Sequence, residues 1–453
     1  MSFNINFLKQ IATKSTGDID TEKNIDSVFI DSRNQVNNGL FIPIIGERFD
    51  GHEFLQGAID NGAIATLWDE SRPVPKGLNG DFPIFFVKDT LKALQQLASI
   101  YLQKVSPKVV GVTGSNGKTS TKDLLEAVLS KKFITHKTSG NYNNHIGLPL
   151  TILAMPINCE VAILEMGMNN FGEISFLSKL AKPDIAIITN IGESHIEQLG
   201  SRKGIAKAKL EIVDGLKTDG VLIIDGDEPL LHTARDLNTL KCGYNDGNEF
   251  KITNIEQAAE GTNFSINVNL HFSLPLLGKH NVKNATFALA VGKYLGLSEH
   301  TMQLGLDNCT LTGMRMEKKA GLNGSTIIND AYNSSPTSMR AAIETIKQLK
   351  GFSRRILVLG DMYELGKDER QLHESVAEVI TAPITHLITI GEKGAWISEA
   401  LMKKNKDKIE IKTYKTKDHA KGDLINLLTD GSVVLIKASR GMKLETLSTD
   451  ICT

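Results

Sequence analysis

The stretch GVTGSNGKTS at residues 111–120 determines how the middle of this chain is expected to fold. It begins within an apolar run that contains Val109, Val110 and Val112, and a segment with helical periodicity follows it. The apolar residues of that segment share one helical face: Leu124, Leu125, Val128 and Leu129. A strand, a glycine-rich turn and a helix are therefore predicted.

This turn has the chemistry of a polyphosphate-binding loop. Its backbone N–H groups converge on one point, the helix adds the positive end of its dipole, and Lys118 adds a full charge. The hydroxyl of Thr119 is placed to reach a magnesium ion. The loop is a variant, because Val112 stands where the usual pattern has its first glycine. A glycine-rich turn with an incidental lysine is the alternative, which the flanking strand and helix disfavour.

Composition narrows the class of protein. The 453 residues suggest roughly two to four domains, and 51 basic against 52 acidic residues give no electrostatic basis for binding nucleic acid. The N-terminus lacks an export signal, and no run of about 18 apolar residues occurs, so a cytoplasmic protein without membrane insertion is expected. The four cysteines are far apart and are expected to be reduced thiols: Cys159, Cys242, Cys309 and Cys452.

Residues 106–312 alternate strand-like and helical runs, which predicts a parallel sheet with ligands at the carboxyl ends of its strands. Glu165 closes the run at 161–165, where its carboxylate could hold magnesium or cap the next helix. His195 follows a later strand, and it is an ordinary loop residue unless a metal lies beside it.

A lysine falls on an apolar helical stripe within residues 204–216. Lys209 lies four residues after Ile205 and three before Ile212, whereas Lys207 lies on the opposite face. An unpaired buried ammonium is costly, so an inward-facing Lys209 should be paired, neutral or chemically modified. The alternative is a side chain that reaches solvent at the edge of the helix.

Three other polar clusters have an ordinary structural interpretation beside a functional one. Asn281 and Asn284 share a helical face and could cap the helix or contact a ligand. The Asp-Ser-Arg sequence at 31–33 could be a turn with a surface ion pair. Arg315 and Asp330 could likewise form a surface ion pair instead of contacting a ligand.

Together these motifs resemble the Mur ligase superfamily, whose members use ATP to join amino acids or peptides to a carboxylate. The resemblance rests on the loop at 111–120, the Ala-Lys-x-x-Ile setting of Lys209 and the sequence GKHNVKN at 278–284. At the N-terminus, Asp-Ser-Arg, Gly-Leu-Phe and Asp-Gly-His follow in the order that muramyl-peptide ligases show. Motifs in the expected order thus extend over nearly the whole chain.

The resemblance implies an α/β fold of three domains. Residues 1–105 would form a small α/β domain for the UDP-muramoyl substrate, and residues 106–312 a central ATP-binding domain with a phosphate loop and a parallel sheet. Residues 313–453 would form a Rossmann-like domain that receives the amino substrate. A monomer is expected.

The resemblance also implies a role for particular residues. ATP would be bound by Gly114, Ser115, Asn116, Gly117, Lys118, Thr119, Ser120, Asn281, Arg315 and Asp330. Two magnesium ions would be held by Thr119, Glu165, His195 and a carbamylated Lys209, and with Lys118 the last three would be the catalytic residues. Substrates would be contacted by Ser32, Arg33, Asn143, Asn144, Lys437, Ser439 and Arg440, with Arg48, Asp50 and His52 near the UDP-sugar.

Two motifs narrow the expected reaction. The sequences DAYNSSPTSM at 330–339 and GDMYELG at 360–366 resemble the members that add D-alanyl-D-alanine to UDP-N-acetylmuramoyl-tripeptide through an acyl phosphate. The Asp-Asn-Pro-Arg motif of the members that add the preceding diamino acid is missing. Another Mur-type ligase, acting on a muramyl dipeptide or a folate polyglutamate, is the alternative within the enzyme class. A regulatory ATP-binding protein is the alternative outside the enzyme class. In such a protein, however, the metal-binding residues are expected to have been replaced.

Overall fold

The structure is a computed structural model that describes residues 2–232, 237–258, 261–404 and 409–453. Its strands are β1 (Phe3–Asn4), β2 (Lys14–Thr16), β3 (Asn24–Ile25), β4 (Ser27–Phe29), β5 (Gly39–Phe41), β6 (Ala63–Asp69), β7 (Ile84–Val87), β8 (Lys108–Thr113), β9 (Thr135–Lys137), β10 (Val161–Glu165), β11 (Ile185–Ile188), β12 (Val221–Asp225), β13 (Thr239–Gly243), β14 (Phe250–Ala258), β15 (Gly261–Ile266), β16 (Leu270–Leu274), β17 (Glu317–Ala320), β18 (Thr326–Asn329), β19 (Arg354–Gly360), β20 (His386–Ile390), β21 (Glu410–Tyr414) and β22 (Ser432–Lys437). Its α-helices are α1 (Leu55–Asp60), α2 (Thr90–Val105), α3 (Lys118–Leu129), α4 (Gly147–Leu153), α5 (Glu173–Ala181), α6 (Ile196–Leu199), α7 (Arg202–Leu210), α8 (Lys279–Tyr294), α9 (Glu299–Asp307), α10 (Pro336–Gln348), α11 (Glu369–Glu374), α12 (Gly394–Lys404), α13 (Lys417–Leu427) and α14 (Glu445–Ile451).

The N-terminal part is built on a sheet in the order β2-β7-β6-β5-β4. Strands β4 to β7 run parallel, and β2 pairs antiparallel with β7 at the edge. Helix α2 closes this part and packs against α4 of the next one. It ends at Val105, and Ser106 takes a left-handed conformation just before Pro107, which cannot continue the helix.

The middle part contains a nine-stranded sheet in the order β16-β15-β14-β13-β12-β11-β8-β10-β9. The strands from β9 to β14 pair in parallel, as predicted. Beyond β14 the sheet continues through two antiparallel pairings, which the sequence analysis did not anticipate. Val109 and Val110 face opposite sides of β8, and each is buried in a different hydrophobic cluster, so helices cover both faces.

The helix that carries Lys209 is shorter than predicted. Helix α7 ends at Leu210, and a 3-10 helix continues over Glu211–Gly215. Ile205, Lys209 and Ile212 are nevertheless all buried, while Lys207 is exposed. The predicted stripe is therefore confirmed over the part that contains the lysine.

The C-terminal part is a six-stranded sheet in the order β17-β18-β22-β19-β20-β21. All of its neighbouring strands are parallel except β17, which pairs antiparallel with β18 at the edge. Separate hydrophobic clusters lie on the two faces of this sheet. The predicted fold class, a three-domain α/β protein with a phosphate-loop sheet and a Rossmann-like sheet, is confirmed.

Two predictions about the chain as a whole concern membranes and thiols. Within the part of the chain that the structure describes, every helix is too short or too polar to cross a bilayer. The four cysteines are free thiols, three of them buried.

Candidate active site

The phosphate loop connects β8 to α3 with a backbone that requires glycine. Gly117 has a φ of +81°, and a Cβ there would lie 2.6 Å from the Asn284 side-chain oxygen. Lys118 begins the helix and folds back so that its Nζ donates to the carbonyl of Gly114 at 2.7 Å. The predicted strand, turn and helix are all present in this order.

The neighbouring strand end holds the loop in shape. Asn190 follows β11, and its side-chain oxygen accepts from the backbone N–H of Asn116 at 3.0 Å. Its Nδ2 donates to the carbonyl of Asn116 at 3.1 Å, and Thr189 Oγ1 donates to the same carbonyl at 2.6 Å. The loop is thus fixed by side chains from a strand that pairs directly with β8.

A hydroxyl and a carboxylate meet where the loop faces the end of β10. Thr119 Oγ1 donates to Glu165 Oε2 at 2.9 Å, and Asn143 Nδ2 donates to Glu165 Oε1 at 2.9 Å. Glu165 is buried. Arg315 reaches the same point from the C-terminal part, where its Nη2 donates to Thr119 Oγ1 at 2.9 Å. Burial lowers the pKa of Lys118, Glu165 opposes this effect and Arg315 adds to it.

These groups line a cavity of about 500 Å³ between the middle and C-terminal parts. Twelve of the residues predicted to form the site line it: Ser115, Asn116, Gly117, Lys118, Thr119, Ser120, Asn143, Glu165, Asn281, Arg315, Asp330 and Lys437. Among the described residues, three polar side-chain atoms of this lining are buried without a hydrogen-bond partner: Ser115 Oγ, Asn116 Nδ2 and Arg315 Nε. Such atoms are expected to pair with a polar ligand, because burying them unpaired costs free energy.

The C-terminal wall of the cavity is a connected set of charges. Lys437 Nζ lies 2.7 Å from Asp330 Oδ2 and donates to the carbonyl of Asn333 at 3.0 Å. Asp330 Oδ1 accepts from the backbone N–H of Met316 at 3.1 Å. The guanidinium of Arg315 lies over the ring of Tyr332, 4.2 Å from its centroid. Arg315 and Asp330 therefore contact the cavity rather than form the surface ion pair considered above.

Two predicted metal residues lie outside this lining. Lys209 is buried, and no described residue accepts a hydrogen bond from its Nζ or forms an ion pair with it. Burial lowers its pKa well below the usual value, and the charge of Lys118 lowers it further. His195 Nδ1 lies 2.8 Å from Glu364 Oε2 of the C-terminal part. Over the residues that the structure describes, no three His, Cys, Asp or Glu side chains form a ready metal cluster.

The remaining predicted substrate residues lie elsewhere. Arg33 is exposed and pairs with Asp31 at 2.6 Å; its hydrogen bond lowers the pKa of Asp31 to about 2. The backbone carbonyl of Ser32 accepts from Asn61 Nδ2 at 2.8 Å. The Asn144 side chain accepts from the N–H of Gly147, the first residue of α4, at 2.8 Å.

The other residues predicted near a substrate have structural partners as well. Ser439 Oγ accepts from the N–H of Tyr363 at 2.9 Å, and Arg440 pairs with Glu445 at 3.3 Å. Asp50 pairs with both His52 and Arg72, whereas Arg48 is exposed.

Several lining residues were missed by the sequence analysis. Asp225 is the last residue of β12, just as Glu165 is the last residue of β10. A search for carboxylates at the ends of predicted strands could therefore have identified it. Its carboxylate accepts from Lys283 Nζ at 2.8 Å, and Lys283 lies over the ring of Tyr244. Tyr332 lies inside the motif at 330–339, but only the fold brings its ring beneath the guanidinium of Arg315.

Three family models match successive parts of the chain. They describe a Mur ligase family catalytic domain at residues 24–101, a Mur ligase middle domain at 112–292 and a Mur ligase glutamate ligase domain at 314–440. The chain belongs to the Mur ligase family.

Named proteins that are similar over nearly the whole chain indicate which members of the Mur ligase family it resembles. The UDP-N-acetylmuramoyl-tripeptide--D-alanyl-D-alanine ligase of Bacillus subtilis is 50% identical over 94% of this chain and 93% of its own length. MurF from Acinetobacter baumannii has a TM-score of 0.87 at 30% identity, covering 99% of this chain and 98% of that one. MurF ligase from Thermotoga maritima, in complex with ADP, has a TM-score of 0.81 at 29% identity, covering 93% of this chain and 96% of that one.

Proposed function

We propose that this chain uses ATP to join D-alanyl-D-alanine to the terminal carboxylate of UDP-N-acetylmuramoyl-tripeptide. The products are ADP, phosphate and UDP-N-acetylmuramoyl-pentapeptide, a precursor of peptidoglycan. The observation that carries the proposal is the cavity in which the phosphate loop and Glu165 face Arg315 and Asp330 across two domains. The 50% identity over nearly the whole chain to a ligase of this name supports the choice of substrates.

The phosphate loop is assigned to the ATP phosphates and Asn281 to the adenine. The unpaired buried atoms Ser115 Oγ, Asn116 Nδ2 and Arg315 Nε support this assignment, since a polyphosphate supplies acceptors and bound water to satisfy them. Lys118 and Arg315 provide positive charge at the point where a carboxylate must approach the γ-phosphate. Without such charge the attacking and target groups repel each other.

Oxygen ligands for magnesium are available beside the loop. Thr119 and Glu165 are 2.9 Å apart and offer the hydroxyl and carboxylate oxygens that this ion prefers. When bound, magnesium supplies positive charge that screens the phosphates from the attacking carboxylate. Thr119 and Glu165 are assigned to one ion.

His195 and a carbamylated Lys209 are assigned to a second ion. A buried amine with a lowered pKa and no acceptor in the described chain fits this assignment. The neutral amine is the form that reacts with carbon dioxide, and the carbamate is an anionic ligand. Carbamylation thereby removes the cost of an unpaired buried cation.

The C-terminal domain is assigned to the delivery of D-alanyl-D-alanine. The tripeptide carboxylate becomes an acyl phosphate, and the dipeptide amine then attacks it and displaces phosphate. Lys437, Ser439 and Arg440 are the candidates for binding the dipeptide carboxylate. Both cations have a carboxylate partner that the dipeptide would have to share or displace: Lys437 pairs with Asp330 and Arg440 with Glu445. Closure of the two domains excludes water, which would otherwise hydrolyse the acyl phosphate.

The division into domains at 105/106 and 312/313 is part of the proposal. Each sheet of three or more strands lies within one of these segments, which supports the division. The first segment is assigned to the UDP-muramoyl end of the acceptor, with Ser32, Arg33, Asn143 and Asn144 as its contacts. A monomer in the cytoplasm remains the expectation.

The test is phosphate release measured with ATP and magnesium while each substrate is omitted in turn. Release is expected only when both UDP-N-acetylmuramoyl-tripeptide and D-alanyl-D-alanine are present, with the pentapeptide product identified by mass. Release that needs a folate and glutamate instead would indicate a folate polyglutamate ligase. Nucleotide binding without turnover of any of these substrates would indicate the regulatory ATP-binding protein. Comparing lysine and diaminopimelate tripeptides would identify the acceptor.

A further inference from the structure

A buried carboxylate on the phosphate-loop helix holds the linker between the middle and C-terminal domains. Asp123 lies on α3, and its side chain is fully buried. Its Oδ2 accepts from both the backbone N–H and the Oγ1 of Thr312, each at 2.8 Å. Its Oδ1 accepts from Lys137 Nζ at 2.9 Å. Both Thr312 contacts are hydrogen bonds to a buried carboxylate, which are stronger than those between neutral groups.

The same stretch of linker returns to the same helix three residues later. Arg315 Nη2 donates to Thr119 Oγ1 at 2.9 Å. Thr119 and Asp123 are four residues apart on α3, so they share one face of the helix. Residues 312–315 therefore form a short strap over one turn of α3, with an anchor at each end.

The backbone around Arg315 is confined to an unusual conformation. Met314 and Met316 both have a positive φ, +62° and +52°. Residues other than glycine rarely adopt this backbone conformation. The N–H of Met316 donates to Asp330, and the N–H of Met314 donates to Glu317 at 3.0 Å. Such a conformation persists only where surrounding contacts determine it. The contacts of Met314 and Met316 fix the C-terminal end of the strap, and Asp123 fixes the other end through Thr312.

We propose that Asp123 is a positioning residue for Arg315. By holding Thr312 it sets where the linker leaves the middle domain, and so sets the reach of Arg315 toward Thr119 and the terminal phosphate of the nucleotide. Movement of the C-terminal domain is then confined to the bonds between Thr312 and Met316. The role of Arg315 in this inference rests on the proposed ligase function, whereas the anchor itself does not.

The test is a double-mutant cycle in the full-length protein between Thr312→Val and Arg315→Ala. Thr312→Val removes one hydrogen bond to Asp123 and keeps the shape and the backbone N–H. It is expected to lower kcat, and the affinity for a non-hydrolysable ATP analogue, by about tenfold, the size of one hydrogen bond to a charged group. In the Arg315→Ala background the same change should cost less than about twofold, because the positioned group is gone. Thr312→Ser keeps both hydrogen bonds and should restore kcat and affinity.

Thr310→Val is the matched control, since Thr310 is exposed on the same linker as Thr312 but its side chain has no hydrogen bond to a described residue. It should leave kcat and analogue affinity unchanged. Equal losses from Thr312→Val with and without Arg315 would overturn the inference, because they would indicate a structural effect alone. A wild-type protein that binds the analogue but does not ligate would overturn the proposed function. The double-mutant cycle measured by analogue affinity would still test whether Asp123 positions Arg315.

Discussion

At the scale of single residues, Lys209 combines burial of its side chain with a lowered pKa. Its amine lies on the inward face of α7 with no described acceptor, and its pKa is lowered by burial and by Lys118. A lysine held there only for packing would be destabilising, because the charged form loses its hydration. The position is therefore consistent with a modified, anionic side chain.

Lys209→Ala is predicted to lower ligation at least about 100-fold, as expected for loss of a metal ligand. Added bicarbonate should not restore activity, because alanine has no amine to carbamylate. Phosphate release measures the loss, and carbon-13 NMR with labelled bicarbonate should show a carbamate signal in wild type that the variant lacks. Lys207→Ala is the control, since Lys207 is exposed two residues away on α7. Normal turnover of Lys209→Ala would contradict the assignment.

At the scale of elements, two neighbouring elements constrain the backbone of the phosphate loop. Asn190 at the end of β11 holds Asn116 by hydrogen bonds to both its N–H and its carbonyl. Asn284 on α8 lies so close to Gly117 that a side chain at Gly117 has no room. A preformed loop binds phosphate without having to order itself first.

Gly117→Ala is predicted to weaken ATP binding by roughly 10- to 100-fold. The strain of positive φ at a non-glycine residue costs about 1–3 kcal/mol, and the new Cβ would also collide with Asn284. Titration calorimetry with ATP measures the affinity, and circular dichroism checks that the fold is retained. Gly422→Ala is the control, because Gly422 lies in α13 with open space around its Cβ position. Equal affinities for the two variants would show that the loop backbone does not set binding.

At the scale of the whole molecule, the interface between the middle and C-terminal domains also has contacts outside the catalytic groups. Both carboxylate oxygens of Glu193 in the middle domain accept from Thr337 at the start of α10, from its N–H at 3.1 Å and its hydroxyl at 2.9 Å. Ser335 Oγ also lies 3.3 Å from the side-chain oxygen of Asn116 in the phosphate loop. A carboxylate at a helix N-terminus is favoured by the helix dipole. These contacts stabilise the arrangement of the two domains described here.

Glu193→Ala is predicted to shift the protein toward more open arrangements and to raise the KM for D-alanyl-D-alanine several-fold. The variant loses two hydrogen bonds to a carboxylate, each worth about 1.5–3 kcal/mol when buried. Small-angle X-ray scattering with ADP should give a larger radius of gyration than wild type. Gln198→Ala, on the exposed face of α6, should match wild type in both measurements. An unchanged radius together with an unchanged KM would exclude a role for Glu193 in closure.

The sequence by itself determined the local chemistry of this protein. The loop glycines, the helical stripe with Lys209 and the strand ends at Glu165 and His195 follow from periodicity and side-chain chemistry, which are local properties. The fold class, and a family resemblance that gave the expected reaction, followed from motifs in order along the chain.

Only the tertiary structure decided which of these residues meet. Arg315 reaches Thr119, although 195 residues separate them in the sequence, because the linker is anchored by Asp123 and the C-terminal domain folds back over the loop. His195 contacts Glu364 for the same reason, and Lys437 pairs with Asp330 because their strands are neighbours in one sheet. Such contacts depend on packing between distant segments, and no local pattern of side chains encodes that packing.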